Sequence, residues 1–255
     1  MIHIKTPEDI AKLKKAGNIL AEILRALKKM SVPGVTTEEL DDEAARLMDE
    51  YGVEPVLLGY HPEFAPRPYP AVICASVNDV VVHGIPNEDP YTLKDGDIIS
   101  LDTALAFEGM IADSAITVAV GKIDAASKKL ISVTHAACDR GIQAAQVGNT
   151  VGDIGHAISS YVEREGFSIV EELSGHGVGY AVHEEPFVAN FGNPGEGDVL
   201  EAGMVIAIEP MVNMGKKQVV FEKDGYTVRT KDRSRSAHFE HTVVITEKGP
   251  VVVTR

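Results

Sequence analysis

Asp102 and Asp113 stand where acids are not expected. Each lies inside an apolar run, IISLDTALAF and MIADSAITVAV. Aspartate is depleted in strands, and an ionised carboxylate in an apolar interior is costly unless it is paired. The two residues flank Phe107–Glu108 almost symmetrically, so an antiparallel hairpin would set them opposite one another, or nearly so. Two like charges there need a positive partner, and neither segment contains Lys or Arg. A divalent cation is the economical answer. An exposed strand face is the competing reading, and the dense apolar flanks count against it. The oddity recurs later: Glu209 closes the run GMVIAIE and Glu240 opens FEHTVVIT. With His176 as a neutral nitrogen ligand, the set carries a charge of about −4, which two divalent ions would balance. Two ions roughly 3.5–4 Å apart are the usual arrangement for metal-assisted hydrolysis. Mixed oxygen and nitrogen donors suit Mn, Co, Fe or Zn better than Ca.

His176 belongs to the stretch SGHGVGYAVHEEP (174–186), which holds a second histidine, His183, seven residues on. Three glycines in five residues and a closing proline argue against a helix. The two imidazoles are therefore expected on different local elements, with different tasks. His241 directly follows Glu240, so strand alternation turns it to the opposite face, as a structural residue. His238 shares the side of Glu240. At this point it borders the cleft or lies on the surface, with nothing to choose between them.

The elements that must position these residues are legible around them. Thr6-Pro7-Glu8-Asp9 starts a helix, with Thr as N-cap and Pro at the first helical position. Thr36 and Glu39 form a capping box for a second helix, which Gly52 stops. Shifted by 114 positions, Gly34, Thr36, Glu39, Leu40 and Gly52 fall on Gly148, Thr150, Asp153, Ile154 and Gly166. This register suggests one domain over 1–255, duplicated as two halves of about 1–122 and 123–255. Strands are expected at 71–76, 97–107 and 109–120, and again at 203–212, 225–230 and 239–247. Glu108-Gly109 and Asp224-Gly225 supply hairpin turns. The fold class is α/β (α+β), mostly antiparallel, with the site in the cleft between the halves.

Bulk properties restrict the partners. The 255 residues carry a formal net charge of −14. Such a chain repels phosphate backbones and anionic lipid, so neither DNA nor a membrane is an expected partner. Lys12, Lys14, Lys15, Lys28 and Lys29 read as a solvated helix face. Two cysteines, Cys74 and Cys138, give no disulfide framework and fit a reducing compartment. The start MIHIKTPEDI lacks the apolar core of a signal peptide, and no apolar run is long enough to span a bilayer. A cytoplasmic monomer is the expectation.

The order Asp102…Asp113…His176…Glu209…Glu240 resembles the five-ligand dimetal site of the pita-bread peptidases. More narrowly, the chain resembles the type I methionine aminopeptidases. The matching stretches are SVNDVVVHGIP (76–86), LDTALAFEGMIADSAIT (101–117), SGHGVGYAVHEEP (174–186), AIEPMV (207–212) and TKDRSRSAHFEHT (230–242), so the likeness spans essentially the whole chain. It implies the pita-bread fold, with its pseudo-twofold halves around a curved sheet. It implies two divalent ions on those five residues, with Glu209 placed also to take a proton from the bridging water. It implies that His83 and His183 are not ligands but bond the substrate and the developing oxyanion. Tyr60, Tyr69, Cys74 and Tyr226 match positions of the side-chain pocket. The implied reaction is removal of initiator methionine from nascent chains whose second residue is small, by attack of a metal-bound hydroxide on the first carbonyl. Transient association with the ribosome would go with it.

The pattern is broken in two places. Val182 stands where the family has an aromatic residue, and Tyr226 stands where it has tryptophan. The segment 61–68 is longer than usual and proline-rich, so the pocket rim is expected to be reshaped. Two other functions compete: an Xaa-Pro or broader aminopeptidase, and a metal-free pita-bread binding module. The first would carry an additional N-terminal domain, and the second would lack ligands. All five ligands are present.

Overall fold

The computed structural model describes residues 2–63 and 65–255. The first half contains helices α1 (Pro7–Met30) and α2 (Thr37–Tyr51). Its strands are β1 (Glu54–Pro55), β2 (Cys74–Val77), β3 (Val80–Val82), β4 (Ile98–Phe107) and β5 (Met110–Ala119). The second half contains α3 (Ala125–Ala144) and α4 (Val151–Arg164). Strands β6 (Ser168–Ile169), β7 (Ser174–Gly177), β8 (Glu184–Ala189), β9 (Val205–Ile208) and β10 (Met211–Asn213) follow. The last are β11 (Val219–Phe221), β12 (Val228–Thr230), β13 (Ser236–His238), β14 (Glu240–Val244) and β15 (Val251–Val252).

The helix starts are those legible in the sequence. Reciprocal capping boxes satisfy the first turns of α1, α2 and α4: Thr6 with Asp9, Thr36 with Glu39, Thr150 with Asp153. Gly52 closes α2 in the left-handed conformation, at φ 65°. Apolar faces then dictate the packing. Leu20, Ile23 and Leu27 of α1 and Leu40 and Met48 of α2 pack on Ile99, Leu101 and Leu105 of β4. Leu130 and Ile142 of α3 and Ile154 and Ile158 of α4 pack on Ile206, Ile208 and Val243. Both helix pairs therefore cover one face of a single sheet.

That sheet has nine strands in the order β1-β4-β5-β14-β9-β7-β8, with β2 paired to β4 and β15 to β14. Every named strand pair in it is antiparallel. Period-two alternation turns Asp102, Asp113 and Glu240 to the face away from the helices. The β4–β5 hairpin turns through Glu108 and Gly109, at φ 48° and 78°, the two positive values that a two-residue type I′ turn requires. Two three-stranded sheets, β13-β10-β6 and β11-β12-β3, complete the structure.

One expected strand is interrupted. The run 203–212 breaks after Ile208: β9 lies in the large sheet and β10 in the β13-β10-β6 sheet, with Glu209-Pro210 between them. Proline has no N–H to give the ladder, so the strand cannot continue through it. The neighbouring chain makes the same step at Phe239, from β13 to β14. Pairing of Met211 with His238 and of His241 with Ile208 places the two steps side by side. Among the described residues, no helix is long and apolar enough to cross a membrane.

Candidate metal centre and substrate pocket

The two strand steps put Glu209 and Glu240 at the same point of the sheet. Glu240 pairs with Ala115, beside Asp113. Asp102 also lies across from Ala115, so it sits diagonally from Asp113 on the same face rather than directly opposite. His176 comes from β7. Its Nε2 is 3.3 Å from Glu209 Oε1 and 4.0 Å from Asp113 Oδ2. One donor atom each from Asp113, His176 and Glu240 falls within 4.8 Å of the others. Nδ1 of His176 lies 3.0 Å from the Gly177 carbonyl, which can only accept. The proton therefore sits on Nδ1, and Nε2 is the atom available as a ligand. The expectation that His176 and His183 occupy different elements holds, since His183 precedes β8.

Four carboxylates in one buried place cannot all ionise unaided. Burial raises Asp102 well above its ordinary range, with the charges of Asp113 and Glu209 adding to the effect. Burial raises Asp113 to about 6 although His176 pulls the other way. Glu240 is raised by burial and by its three acidic neighbours. Glu209 behaves oppositely. Burial pushes it up, but His176 and His238 outweigh that and hold it at about 2. Oδ1 of Asp113 and Oε1 of Glu240 are buried without a hydrogen-bond partner among the described residues. Orphaned carboxylate oxygens beside an imidazole nitrogen fit a divalent cation, which would satisfy both their charge and their lone pairs.

Beside these five residues the same cavity, of about 80 Å3, is lined by His83, His183, Tyr60, Tyr69, Cys74, Tyr226, Val182, Leu57 and Pro62. Every site residue expected from the sequence therefore faces one space. His83 holds a left-handed backbone at φ 58°, a conformation that costs a non-glycine residue about 1–3 kcal/mol and is retained where a side chain must be aimed. Burial lowers both His83 and His183 to about 4. Both are neutral near pH 7, able to donate through one nitrogen. The Tyr60 hydroxyl meets His183 Nδ1 at 2.7 Å. Tyr69 and Tyr226 pack edge to face at 5.0 Å.

At the two ends of the segment expected to be longer than usual, the Tyr69 N–H donates to the Tyr60 carbonyl at 2.8 Å; position 64 within it lies outside the described residues. The Tyr226 hydroxyl donates to the Tyr60 and Arg67 carbonyls.

Residues 11–247 match metallopeptidase family M24. The chain is 45% identical over 254 residues to a methionine aminopeptidase of Clostridium perfringens, covering 100% of this chain and 99% of that protein. With methionine aminopeptidase 1 of Bacillus subtilis the identity is 44% over 255 residues, and each chain is covered completely. The crystal structure of methionine aminopeptidase from Rickettsia prowazekii superposes with a TM-score of 0.95 at 38% identity, covering 100% of both chains. The chain belongs to metallopeptidase family M24, among the methionine aminopeptidases. Its fold is the pita-bread fold, and it is a metal-dependent hydrolase of the aminopeptidase class.

Against the methionine aminopeptidase pattern, two residues of this centre escaped sequence reasoning. His238, left open between cleft and surface, is 1% exposed, with Nε2 3.5 Å from Glu209 Oε2. Asn190 donates from Nδ2 to the Glu209 carbonyl at 3.1 Å. The two-residue spacing of His238 from Glu240 was the signal for the first. No local pattern marks the second. His241 has the structural place expected of it: its ring is buried and its Nδ1 meets Thr254 Oγ1 at 2.9 Å.

Proposed function

We propose that this chain hydrolyses the first peptide bond of polypeptides that begin with methionine and carry a small second residue. The observation that supports this most is that one cavity is lined both by the metal donors and by apolar and aromatic side chains. In this reading Asp102, Asp113, His176, Glu209 and Glu240 hold two divalent ions, drawn from Co, Mn, Fe and Zn. When bound, the ions supply Lewis acidity at the scissile carbonyl and make water a nucleophile at neutral pH. Glu209, ionised across the working range, takes the proton from that water and returns it to the leaving amine. His83 and His183, neutral, donate hydrogen bonds to the substrate and to the oxygen on which charge develops. Tyr60 fixes the orientation of His183. Tyr69, Cys74, Val182 and Tyr226 enclose the methionine side chain.

The substrates are N-termini of nascent chains, met in the cytoplasm by a monomer that touches the ribosome transiently. Two buried, free thiols accord with that compartment. The chain is read as one catalytic domain over 1–255, duplicated about residue 122. The matching boxes at Thr36 and Thr150 and the matching single bridges, Thr36 to Thr92 and Thr150 to Val199, support this.

The test is a side-by-side assay of Met-Ala-Ser and Ala-Pro-Ser peptides after reconstitution with each of the four metals. Methionine release, with Ala-Pro-Ser left intact, is the expected result. Cleavage of the Ala-Pro bond at a comparable rate would move the assignment to an Xaa-Pro aminopeptidase, and no cleavage with any metal would remove it.

A further inference from the structure

We infer that His238 is a positioning residue for Glu209, the side chain that holds this carboxylate in its working orientation. The inference rests on the proposed role of Glu209 as a metal ligand and proton acceptor. The Glu209 carboxylate is flanked by two imidazoles, His176 on Oε1 at 3.3 Å and His238 on Oε2 at 3.5 Å. These two flanking groups are not equivalent. His176 gives its Nδ1 proton to the Gly177 carbonyl, so in the neutral ring Nε2 has only a lone pair to offer. Once that lone pair serves a cation, His176 no longer donates to Glu209. His238 is then the imidazole N–H left to hold the carboxylate.

The surroundings of His238 point the same way. The ring is buried, and among the described residues neither nitrogen has an aligned hydrogen-bond partner. A buried polar group left in that state costs free energy and calls for an explanation beyond packing. Its backbone, by contrast, is held on both sides. The His238 N–H donates to Thr117 Oγ1 at 2.8 Å, and that hydroxyl in turn donates to the His238 carbonyl at 2.8 Å. On the other edge His238 pairs with Met211, two residues beyond Glu209 on the same chain. The strand that carries the ring is thus fastened directly to the strand that follows the carboxylate. At 3.5 Å, His238 Nε2 stands at the outer limit of hydrogen-bond reach of Glu209 Oε2.

The experiment compares the full chain with His238→Ala, His238→Gln and, as a control for stability alone, Met48→Ala in the far core. Divalent Co and Mn binding is measured by calorimetry, kcat and KM on Met-Ala-Ser, and Tm by melting. Removing an outer hydrogen-bond partner of a metal ligand typically costs roughly 10–100-fold in affinity or activity. His238→Ala is expected to weaken metal binding and lower kcat by about that factor, with KM nearly unchanged. His238→Gln, which keeps an N–H at similar reach, is expected to recover most of both. Met48→Ala is expected to lower Tm and leave metal affinity alone. Unchanged metal affinity in His238→Ala overturns the proposal, as does equal loss in the Ala and Gln variants in proportion to Tm. If the unaltered protein binds metal but releases no methionine, the reading of the reaction fails. The calorimetric comparison still decides the role of His238.

Discussion

Three imidazoles within one cavity differ by what surrounds them. His176 stands among carboxylates, whereas His83 and His183 are kept neutral by burial. Substitution should separate the tasks. His83→Ala and His183→Ala are expected to lower kcat by about 10²-fold or more, the scale of a lost oxyanion donor or general acid–base group. Metal content, read by atomic absorption, should stay at the level of the unaltered protein. His176→Ala should instead lose metal, and activity with it. The acids were legible because Asp102, Asp113, Glu209 and Glu240 violate the composition of the strands around them. His83, Tyr60 and Tyr69 were not legible in that way, since a turn histidine and two loop tyrosines violate nothing. They came from the likeness of whole motifs. His238 stayed undecided because alternation gives the side of a strand and not its depth.

At the scale of the element, the sheet brings the candidate ligands together only if its strands approach closely. A Cβ on Gly175, beside His176, would stand 2.3 Å from the Ala207 carbonyl oxygen on β9. Backbone cannot step aside as a side chain can. Gly175→Ala is expected to destabilise by about 1–3 kcal/mol, as overpacking does, and to weaken metal binding through the displaced His176. Denaturant midpoints and metal titration read the two effects. A second contact fixes the turn before β8. Lys5 is paired with Glu184, their side chains 1% and 5% exposed, and Glu184 also accepts the N–H groups of Tyr180 and Ala181. Burial pushes the Glu184 carboxyl up, but Lys5 and the two N–H groups outweigh it and leave it below its ordinary 4.5. A depressed carboxylate stabilises fully above the unfolded value and loses that contribution as pH falls through the folded one. Lys5→Met is expected to cost about 3–5 kcal/mol near neutrality, the effect of stranding a buried charge. Its stability should also vary less with pH in the range beneath about 4.5, as followed by chemical denaturation at a series of pH values. The capped helices and the β4–β5 hairpin were legible because caps and tight turns are local chemistry. The step at Glu209-Pro210 lay in plain view as a proline, yet the apolar run around it read as one strand. What decides such a run is which sheet receives each piece, a pairing between residues far apart in sequence.

Across the whole molecule the centre behaves as a repulsive cluster that a cation relieves. Chelation is expected to lower Tm, and Mn or Co at 100 times the dissociation constant to restore about 2.7 kcal/mol. For a chain of this size that corresponds to about 2–4 °C per kcal/mol, read by melting with and without metal. Glu240→Gln should shrink the difference. The register of caps and glycines was legible in the sequence, and the large sheet joins the strands before residue 122 to those after it through the pairing of β5 with β14. That pairing has a consequence for how the protein is made. Asp102 and Asp113 are synthesised early, but two strands lie between them and His176 in the sheet, β14, with Glu240, and β9, and β14 is made late. Until β14 has been translated and slotted in, the first two acids face an incomplete sheet and lack their partners. With the proposed ligands, metal capture is expected to be a late event in biosynthesis, and a chain interrupted before Glu240 is expected to yield no active fragment.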